Sequence, residues 1–222
     1  MDQLKIEIQC DTPTSEQEFY KEAYDLLEGV IIEIISRLDI IRNYKSIQNG
    51  KDPVEYCKAR IKSAQSMKEK LNRKNLEVTL DNALTQVMDA AGIRVVCGFL
   101  EDIYWIVDML KNQQDINIIN EKDYIRNPKP SGYRSYHVIL QVPIHVGDKI
   151  QLIFCELQIR TLAMDCWANL EHRLKYKKQI PNQDGRESEL KCCSEETLTT
   201  ELDLQTIQDM IREVEQEEWD GD

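Results

Sequence analysis

The chain has 222 residues, which is enough for one domain with a hydrophobic core plus helical extensions. Its N-terminus has no apolar signal-peptide core and no apolar run approaches the roughly 20 residues that span a bilayer, so we expect a cytoplasmic protein without a membrane partner. The net charge of −12 argues against DNA as a partner, and seven scattered cysteines without a CxxC motif indicate free thiols in a reducing compartment.

The charge is concentrated in two segments. Residues 187–222 contain 13 acidic and two basic side chains, whereas residues 58–74 contain seven basic side chains and one acidic one. The acidity therefore belongs to the C-terminal segment, and the body of the chain contains a cationic patch. That distribution favours a small polyanionic ligand over a nucleic-acid track.

Hydrophobic spacing and turn residues predict an α/β fold with a central mixed β-sheet of about five strands flanked by helices. In chain order they predict helices at residues 15–38, at 53–74 after Asp52 as N-cap, and at 78–89; a strand at 92–99; a helix at 101–113; strands at 116–119, 135–142 and 149–159; a helix at 161–176; a turn at 180–185; and one or two helices from 187 to about 218. The predicted division is a helical extension over residues 1–49, a central domain over 50–178 and an acidic helical extension over 179–222.

The basic segment predicts one cationic helix face. On a helix, Lys62, Ser66, Lys70 and Arg73 lie within about 80° of one another, opposite the apolar side chains of the same segment. Few acidic residues are interleaved, so the cations repel one another unless an anion is bound. The pattern fits a phosphate-binding face, and it also fits an ordinary solvated face.

Two carboxylates occur beside predicted strands. Asp89 precedes the strand at 92–99, and Glu156 lies within an apolar strand where it shares one face with Gln158 and Arg160. A charge in an apolar strand is costly unless it is paired or bound to a metal. The two carboxylates could hold Mg²⁺, which prefers oxygen ligands; the alternative is a partly buried ion pair of Glu156 with Arg94.

The loop at residues 128–137 has the sequence PKPSGYRSYH. Proline and glycine indicate a tight turn, and they are followed by aromatic and cationic side chains at a strand edge. Such a surface suits a nucleotide, with a ring for the base and charge for the phosphates. The alternative is that Tyr136 packs in the core and the other side chains are solvated.

Other common sites are not supported. Glu171 and His172 follow the apolar face of the predicted helix at 161–176, and the remaining histidines are far away in sequence. The chain has no HExxH motif and no Cys/His spacing typical of zinc. It also lacks GxxxxGK[ST] and GxGxxG, so neither a P-loop nor a dinucleotide fold is predicted.

Four segments together resemble the synthetase domain of the RelA/SpoT homologues. In order they are RIKSAQSMKEKLNRK, DAAGIRVVCGFLEDIY, KDYIRNPKPSGYRSYH and ELQIRTLAMDCWANLEH. The match spans roughly residues 50–178, and the length of the chain resembles that of the single-domain small alarmone synthetases. The resemblance implies a nucleotidyltransferase-like synthetase domain that transfers the pyrophosphate of ATP to the ribose 3′-hydroxyl of GTP or GDP, with GMP as a further possible acceptor.

The resemblance also implies a role for each matching residue. Arg60 and Arg94 would sandwich the adenine, and Lys62, Ser66, Lys70 and Arg73 would hold the ATP phosphates. Asp89 and Glu156 would bind Mg²⁺, and Glu156 would take the proton of the attacking hydroxyl. Tyr133 would stack on guanine, with Lys129, Arg134 and His137 near the acceptor phosphates or the transferred group. Gln158, Glu171 and His172 match motif positions on the acceptor side.

Further properties of the family concern assembly and regulation. The terminal helices resemble those that assemble relatives into homotetramers, and an alarmone or RNA is a possible regulator. The candidate allosteric positions carry Tyr56, Ala59 and Asp165. Because the His-Asp dipeptide of the family's hydrolase domain is missing, we expect synthesis without hydrolysis.

Two other classes of protein remain open from the residues alone. An RNA-binding module would use Tyr133, Tyr136 and the basic segment, but it would have no use for Asp89 and Glu156. An oligomeric scaffold would use the terminal helices, and it would leave the loop at 128–137 unexplained.

Overall fold

The computed structural model describes residues 6–9, 13–21, 23–176 and 183–220. The described strands are β1 (Ile6–Gln9), β2 (Val54–Ile61), β3 (Ala91–Cys97), β4 (Asn117–Asp123), β5 (Tyr136–Val146) and β6 (Lys149–Thr161). The described helices are α1 (Pro13–Tyr20), α2 (Ala23–Asn49), α3 (Ala64–Arg73), α4 (Leu80–Thr85), α5 (Leu100–Lys111), α6 (Leu162–Tyr176) and α7 (Gln183–Asp220).

The strands form one mixed sheet in the order β1-β2-β3-β6-β5-β4. Strand β2 pairs with β1 in parallel and with β3 antiparallel; β3 pairs in parallel with β6, which pairs antiparallel with β5. Strand β4 closes the far edge antiparallel to β5. The predicted mixed sheet of about five strands flanked by helices is therefore confirmed, and the short β1 adds a sixth strand at one edge.

One face of the sheet carries the hydrophobic core. Helices α2 and α5 contact each other and pack on the central strands. On β6, Cys155, Leu157 and Ile159 are fully buried in this core. Because successive side chains in a strand point to opposite faces, Glu156 and Gln158 between them are directed to the other side. The alternation on this strand is what places polar groups opposite the core.

The helix predicted over residues 53–74 is wrong in its first half. Residues Val54–Ile61 form β2, which pairs with β3 along its length, and only Ala64–Arg73 are helical. The Ser63 side chain caps α3 by accepting a hydrogen bond from the Ser66 amide. Asp52 accepts a hydrogen bond from the Val54 amide in a turn and does not cap a helix. Lys62 consequently lies between β2 and α3 and not on the helix face.

Other element boundaries differ in extent. The single helix predicted over residues 15–38 is wrong, because α1 ends at Tyr20 and α2 begins at Ala23 and continues to Asn49. The acidic segment forms one helix from Gln183 onward. Within the turn predicted at 180–185, residues 180–182 lie outside the described residues, and 183–185 begin α7. Among the helices described, none combines the length and apolar character needed to cross a membrane.

Candidate active site

A cleft lies on the sheet face opposite the core, where β2, β3 and β6 run side by side. Its lining residues are Lys58, Ala59, Arg60, Asp89, Gly92, Ile93, Arg94, Glu156 and Gln158. The structure thus brings five of the predicted site residues to one place: Arg60, Asp89, Arg94, Glu156 and Gln158. The enclosed volume is about 60 Å³, whereas ligand pockets typically measure about 300–1,000 Å³. A nucleotide would therefore extend beyond this cleft.

Asp89 connects the cleft to the basic segment. Its Oδ2 accepts a hydrogen bond from Lys70 Nζ at 2.5 Å, and Lys62 Nζ lies 3.3 Å from the same oxygen. The other oxygen, Oδ1, is buried and has no hydrogen-bond partner in the described structure. A buried carboxylate oxygen without a partner is costly unless a ligand completes it.

Glu156 is held by neighbours on β5 and β6. His137 Nδ1 lies 3.3 Å from Glu156 Oε1, and Gln158 Nε2 donates to Oε2 at 2.9 Å. Burial alone raises the pKa of Glu156, but the hydrogen bond and charge of His137, the hydrogen bond from Gln158 and the charge of Lys70 outweigh it and lower the pKa to about 2. Glu156 is therefore ionised at neutral pH. The alternative pair of Glu156 with Arg94 does not form, because Arg94 binds Asp165 at 3.1 Å.

The two carboxylates fit Mg²⁺. Both line the cleft, both are oxygen ligands, and Asp89 Oδ1 is the buried atom that still needs a partner. Within the described part of the chain, no group of three or more His, Cys, Asp or Glu side chains could hold a metal. A site of two carboxylates leaves the remaining positions to water and phosphate oxygens, as Mg²⁺ commonly requires.

The predicted acceptor platform is ordered around Tyr133. Its hydroxyl oxygen lies 2.9 Å from His137 Nε2, and Lys129 Nζ lies 4.8 Å from the ring centroid. The preceding Gly132 has φ +89°, and a Cβ there would approach Ser194 Cβ to 2.9 Å. The Ser194 hydroxyl donates to the Gly132 carbonyl, so α7 fixes the turn that presents the ring. Glycine is needed at this position both for the left-handed backbone and for the contact with α7.

Arg134 does not join this cluster. Its guanidinium donates to the Ile125 carbonyl at 2.5 Å and lines a groove formed by α5, α7 and the loop after β4. The groove also contains Tyr104, Arg126 and Leu202. The placement of Arg134 near the acceptor phosphates or the transferred group is therefore not supported by this arrangement.

The remaining predicted residues lie around the cleft. Ser66 is in the first turn of α3, where its Oγ accepts a hydrogen bond from Ser63 Oγ at 2.9 Å, and Arg73 is exposed at the end of that helix. Glu171 and His172 are on α6, outside the residues that line the cleft.

The sequence did not reveal one polar network beside the site. Asp165, buried at the start of α6, accepts hydrogen bonds from Tyr56, Arg94, Arg160 and Asn169. Burial and the hydrogen bond to Asp165 raise the pKa of Tyr56 to about 12, so its hydroxyl stays a donor at neutral pH. The available signal was the period-two alternation that places Arg160 on the same face of β6 as Glu156. No such alternation in the sequence indicates that Asp165 on α6 is the partner of Arg160.

Comparison with known proteins agrees with this geometry. Residues 59–181 match the family model described as a region found in RelA/SpoT proteins. The chain is 40% identical over 166 residues to the GTP pyrophosphokinase YwaC of Bacillus subtilis, a match that covers 74% of this chain and 76% of that protein. It is 35% identical over 145 residues to the GTP pyrophosphokinase YjbM of the same organism, covering 65% of this chain and 67% of that protein.

Solved structures show the same fold. The crystal structure of small alarmone synthetase 2 from Bacillus subtilis superposes with a TM-score of 0.76 at 34% identity, covering 86% of this chain and 98% of that one. The structure of small alarmone synthetase 1 from the same organism, bound to its product pppGpp, superposes with a TM-score of 0.77 at 29% identity, covering 88% and 98%. The chain belongs to the RelA/SpoT family.

Proposed function

We propose that this protein is a GTP pyrophosphokinase that transfers the pyrophosphate of ATP to the 3′-hydroxyl of GTP or GDP and releases AMP. The observation that carries the proposal is the cleft where Asp89 and Glu156 meet the cations of β2, β3 and α3. A family member with two carboxylates beside phosphate-binding cations has the groups that such a transfer requires.

The donor side is formed by the basic segment. Arg60 and Arg94 line the cleft from adjacent strands, and they are the proposed partners of adenine. Lys62 and Lys70 converge on Asp89, and Arg73 is exposed one turn beyond Lys70. These three cations are the proposed partners of the triphosphate, whose negative charge they would neutralise.

Asp89 and Glu156 are the proposed ligands of Mg²⁺, which when bound would withdraw charge from the phosphates. The unpartnered Oδ1 of Asp89 supports this assignment. One carboxylate comes from the turn that leads into β3 and the other from β6, the strand that pairs with β3.

The acceptor side is formed by the loop before β5. The ring of Tyr133 is the proposed stacking partner of guanine, while Lys129 would meet the acceptor phosphates. Glu156 is ionised and would accept the proton of the 3′-hydroxyl while the oxygen of that hydroxyl attacks the β-phosphorus of ATP. The bond between the β-phosphorus and the oxygen that bridges the α- and β-phosphates would break, and AMP would leave with the bridging oxygen. A carboxylate of low pKa suffices because the transition state of phosphoryl transfer is loose and depends mainly on alignment and charge.

We further propose that the protein is a homo-oligomer, as the resemblance to tetrameric relatives implies. Support comes from α7, whose outer face exposes Leu204, Ile207, Met210, Ile211 and Val214. Exposed apolar side chains repeated on one helix are typical of an interface with a partner. A regulatory alarmone or RNA at the assembled cleft stays a proposal, with Tyr56, Ala59 and Asp165 as the candidate positions.

The test is direct detection of products. Purified protein is incubated with ATP, Mg²⁺ and GTP, GDP or GMP, and the products are separated by ion-exchange chromatography. We expect AMP and a guanosine nucleotide that carries a 3′-pyrophosphate in equal amounts. Formation of ADP in place of AMP, or AMP without a new guanosine nucleotide, would refute the proposal. Replacing Mg²⁺ by an excess of chelator should stop both products together.

A further inference from the structure

Arg160 occupies a position that the proposed chemistry does not use. It lies on β6 four residues after Glu156, and its side chain is only 4% exposed. One guanidinium nitrogen, NH1, donates to Asp165 Oδ1 at 3.0 Å. The other, NH2, donates to the Tyr133 hydroxyl at 2.6 Å and to Gln158 Oε1 at 3.2 Å. A buried arginine thus connects the acceptor tyrosine to the polar network at the start of α6.

The direction of these hydrogen bonds follows from the chemistry of the groups. A guanidinium has donors and no acceptor, so the Tyr133 oxygen must accept from Arg160. The hydroxyl proton of Tyr133 is then available to His137 Nε2, which is 2.9 Å away. A neutral imidazole that accepts at Nε2 carries its proton on Nδ1, and Nδ1 is the atom that faces Glu156 Oε1 at 3.3 Å. A continuous chain of hydrogen bonds therefore runs from Arg160 to Glu156.

Asp165 holds the first member of this chain in place. Its carboxylate is 2% exposed and accepts from Tyr56 and Asn169 as well as from the arginines. By contrast Lys129, the other cation near the Tyr133 ring, is exposed. An incoming base can displace the exposed lysine, whereas the guanidinium of Arg160 is fixed by its buried partner.

We propose that Arg160 is a positioning residue for the transfer reaction, which acts through the Tyr133 hydroxyl to orient His137 against Glu156. This inference rests on the proposed function, because it assigns the oriented carboxylate to the attacking 3′-hydroxyl. Tyr133 then has two roles: its ring binds the acceptor nucleotide, and its hydroxyl contributes to the chemical step through His137. Arg160 itself touches neither substrate.

These two roles of Tyr133 predict that loss of the hydroxyl lowers kcat and leaves KM for GTP nearly unchanged. Arg160→Met and Tyr133→Phe each break the chain of hydrogen bonds and keep an aromatic ring at position 133. We expect kcat to fall about 10-fold to 100-fold in each variant, the range for losing a hydrogen bond to a charged group, while KM for GTP changes by less than about threefold. In Arg160→Met, Asp165 still accepts hydrogen bonds from Tyr56, Arg94 and Asn169, so we expect this variant to fold.

A double-mutant cycle separates positioning from general stability. If Arg160 acts through the Tyr133 hydroxyl, the variant with both substitutions should be no slower than the slower single variant. Additive losses would overturn the proposal. The stoichiometry of GTP binding, measured by calorimetry, should equal that of the wild type; a reduced stoichiometry that accounts for the lost turnover would also overturn it.

Two controls complete the experiment. Arg42 is a second buried arginine, which lies on α2 outside the cleft and pairs with Asp39 on the same helix and with Asp52 before β2. Arg42→Met should therefore leave kcat unchanged in the folded fraction. Tyr133→Phe decides the question even if Arg160→Met does not fold, because a wild-type kcat in Tyr133→Phe refutes the role of the hydroxyl. Failure of the wild type to make product would refute the proposed function instead, and normal turnover in both variants would refute this inference alone.

Discussion

Substitution of Glu156 by glutamine should destabilise the protein as well as inactivate it. The carboxylate is 19% exposed and receives hydrogen bonds from His137 and Gln158. Its pKa is lowered from 4.5 to about 2. A lowered pKa contributes stability that is present above the pKa of the unfolded chain and is lost as the pH falls through that of the folded protein. Glutamine has the same shape but cannot ionise, so the variant loses this contribution.

The magnitude follows from the two pKa values. At about 1.4 kcal/mol for each pH unit, the ionised carboxylate contributes at most about 3 kcal/mol at neutral pH and about 1 kcal/mol near pH 3. We expect Glu156→Gln to lower the urea midpoint by about 1 M near pH 7, and the difference from the wild type to shrink as the medium is acidified.

The assay is urea unfolding followed by circular dichroism with chelator present and at one protein concentration, because metal binding and association both affect stability. Glu77→Gln is the matched control, since the Glu77 side chain is exposed in the loop between α3 and α4. The reasoning is refuted if Glu156→Gln unfolds at the wild-type urea concentration near pH 7, or if its deficit does not depend on pH.

Three further substitutions test other parts of the site. Asp89→Asn should abolish product formation at any Mg²⁺ concentration while the circular dichroism spectrum is unchanged, because the amide cannot replace the unpartnered carboxylate oxygen. Lys70→Ala should raise KM for ATP and leave KM for GTP nearly unchanged in steady-state assays, and equal weakening of both would indicate a general electrostatic effect. Tyr133→Ala should weaken GTP binding by about 10-fold to 100-fold in calorimetry, since base stacking is worth about 1–3 kcal/mol, and normal binding would exclude stacking.

The fold was largely predictable because strongly patterned segments decide it. The apolar runs that became β3 and β6, and the helical spacing of α2 and α5, are visible in the sequence and form the core. The sequence predicts a helix in place of β2, because a helix-start signal at Asp52 and Pro53 precedes apolar side chains at helical spacing. These side chains are Ile61, Ala64, Met67 and Leu71. Pairing with β3 determines the conformation of Val54–Ile61, and such a long-range contact has no local signal.

The site was predictable where the side chains follow a strand or a short turn. Arg134 follows Tyr133 directly in the loop before β5, yet its guanidinium donates to the Ile125 carbonyl, away from the Tyr133 cluster. The role given to Arg134 came from the resemblance and is the part that the geometry does not support. Asp165 could not be linked to Arg160 or Tyr133 from the sequence, because their meeting depends on how α6 packs against β6.

The ion pairs at Asp89 explain how the fold tolerates such a concentration of positive charge beside the cleft. Lys62 and Lys70 repel each other, and both are paired with Asp89. If the proposed roles are right, a nucleotide that brings its Mg²⁺ would supply phosphate oxygens to the two lysines, and the metal would replace their ammonium groups at Asp89. Each charge would then keep an opposite partner, which would limit the desolvation free energy that binding costs. On the proposed function, Asp89 would therefore balance positive charge with and without nucleotide, whereas Arg73, exposed at the end of α3, would contribute only when phosphate is bound.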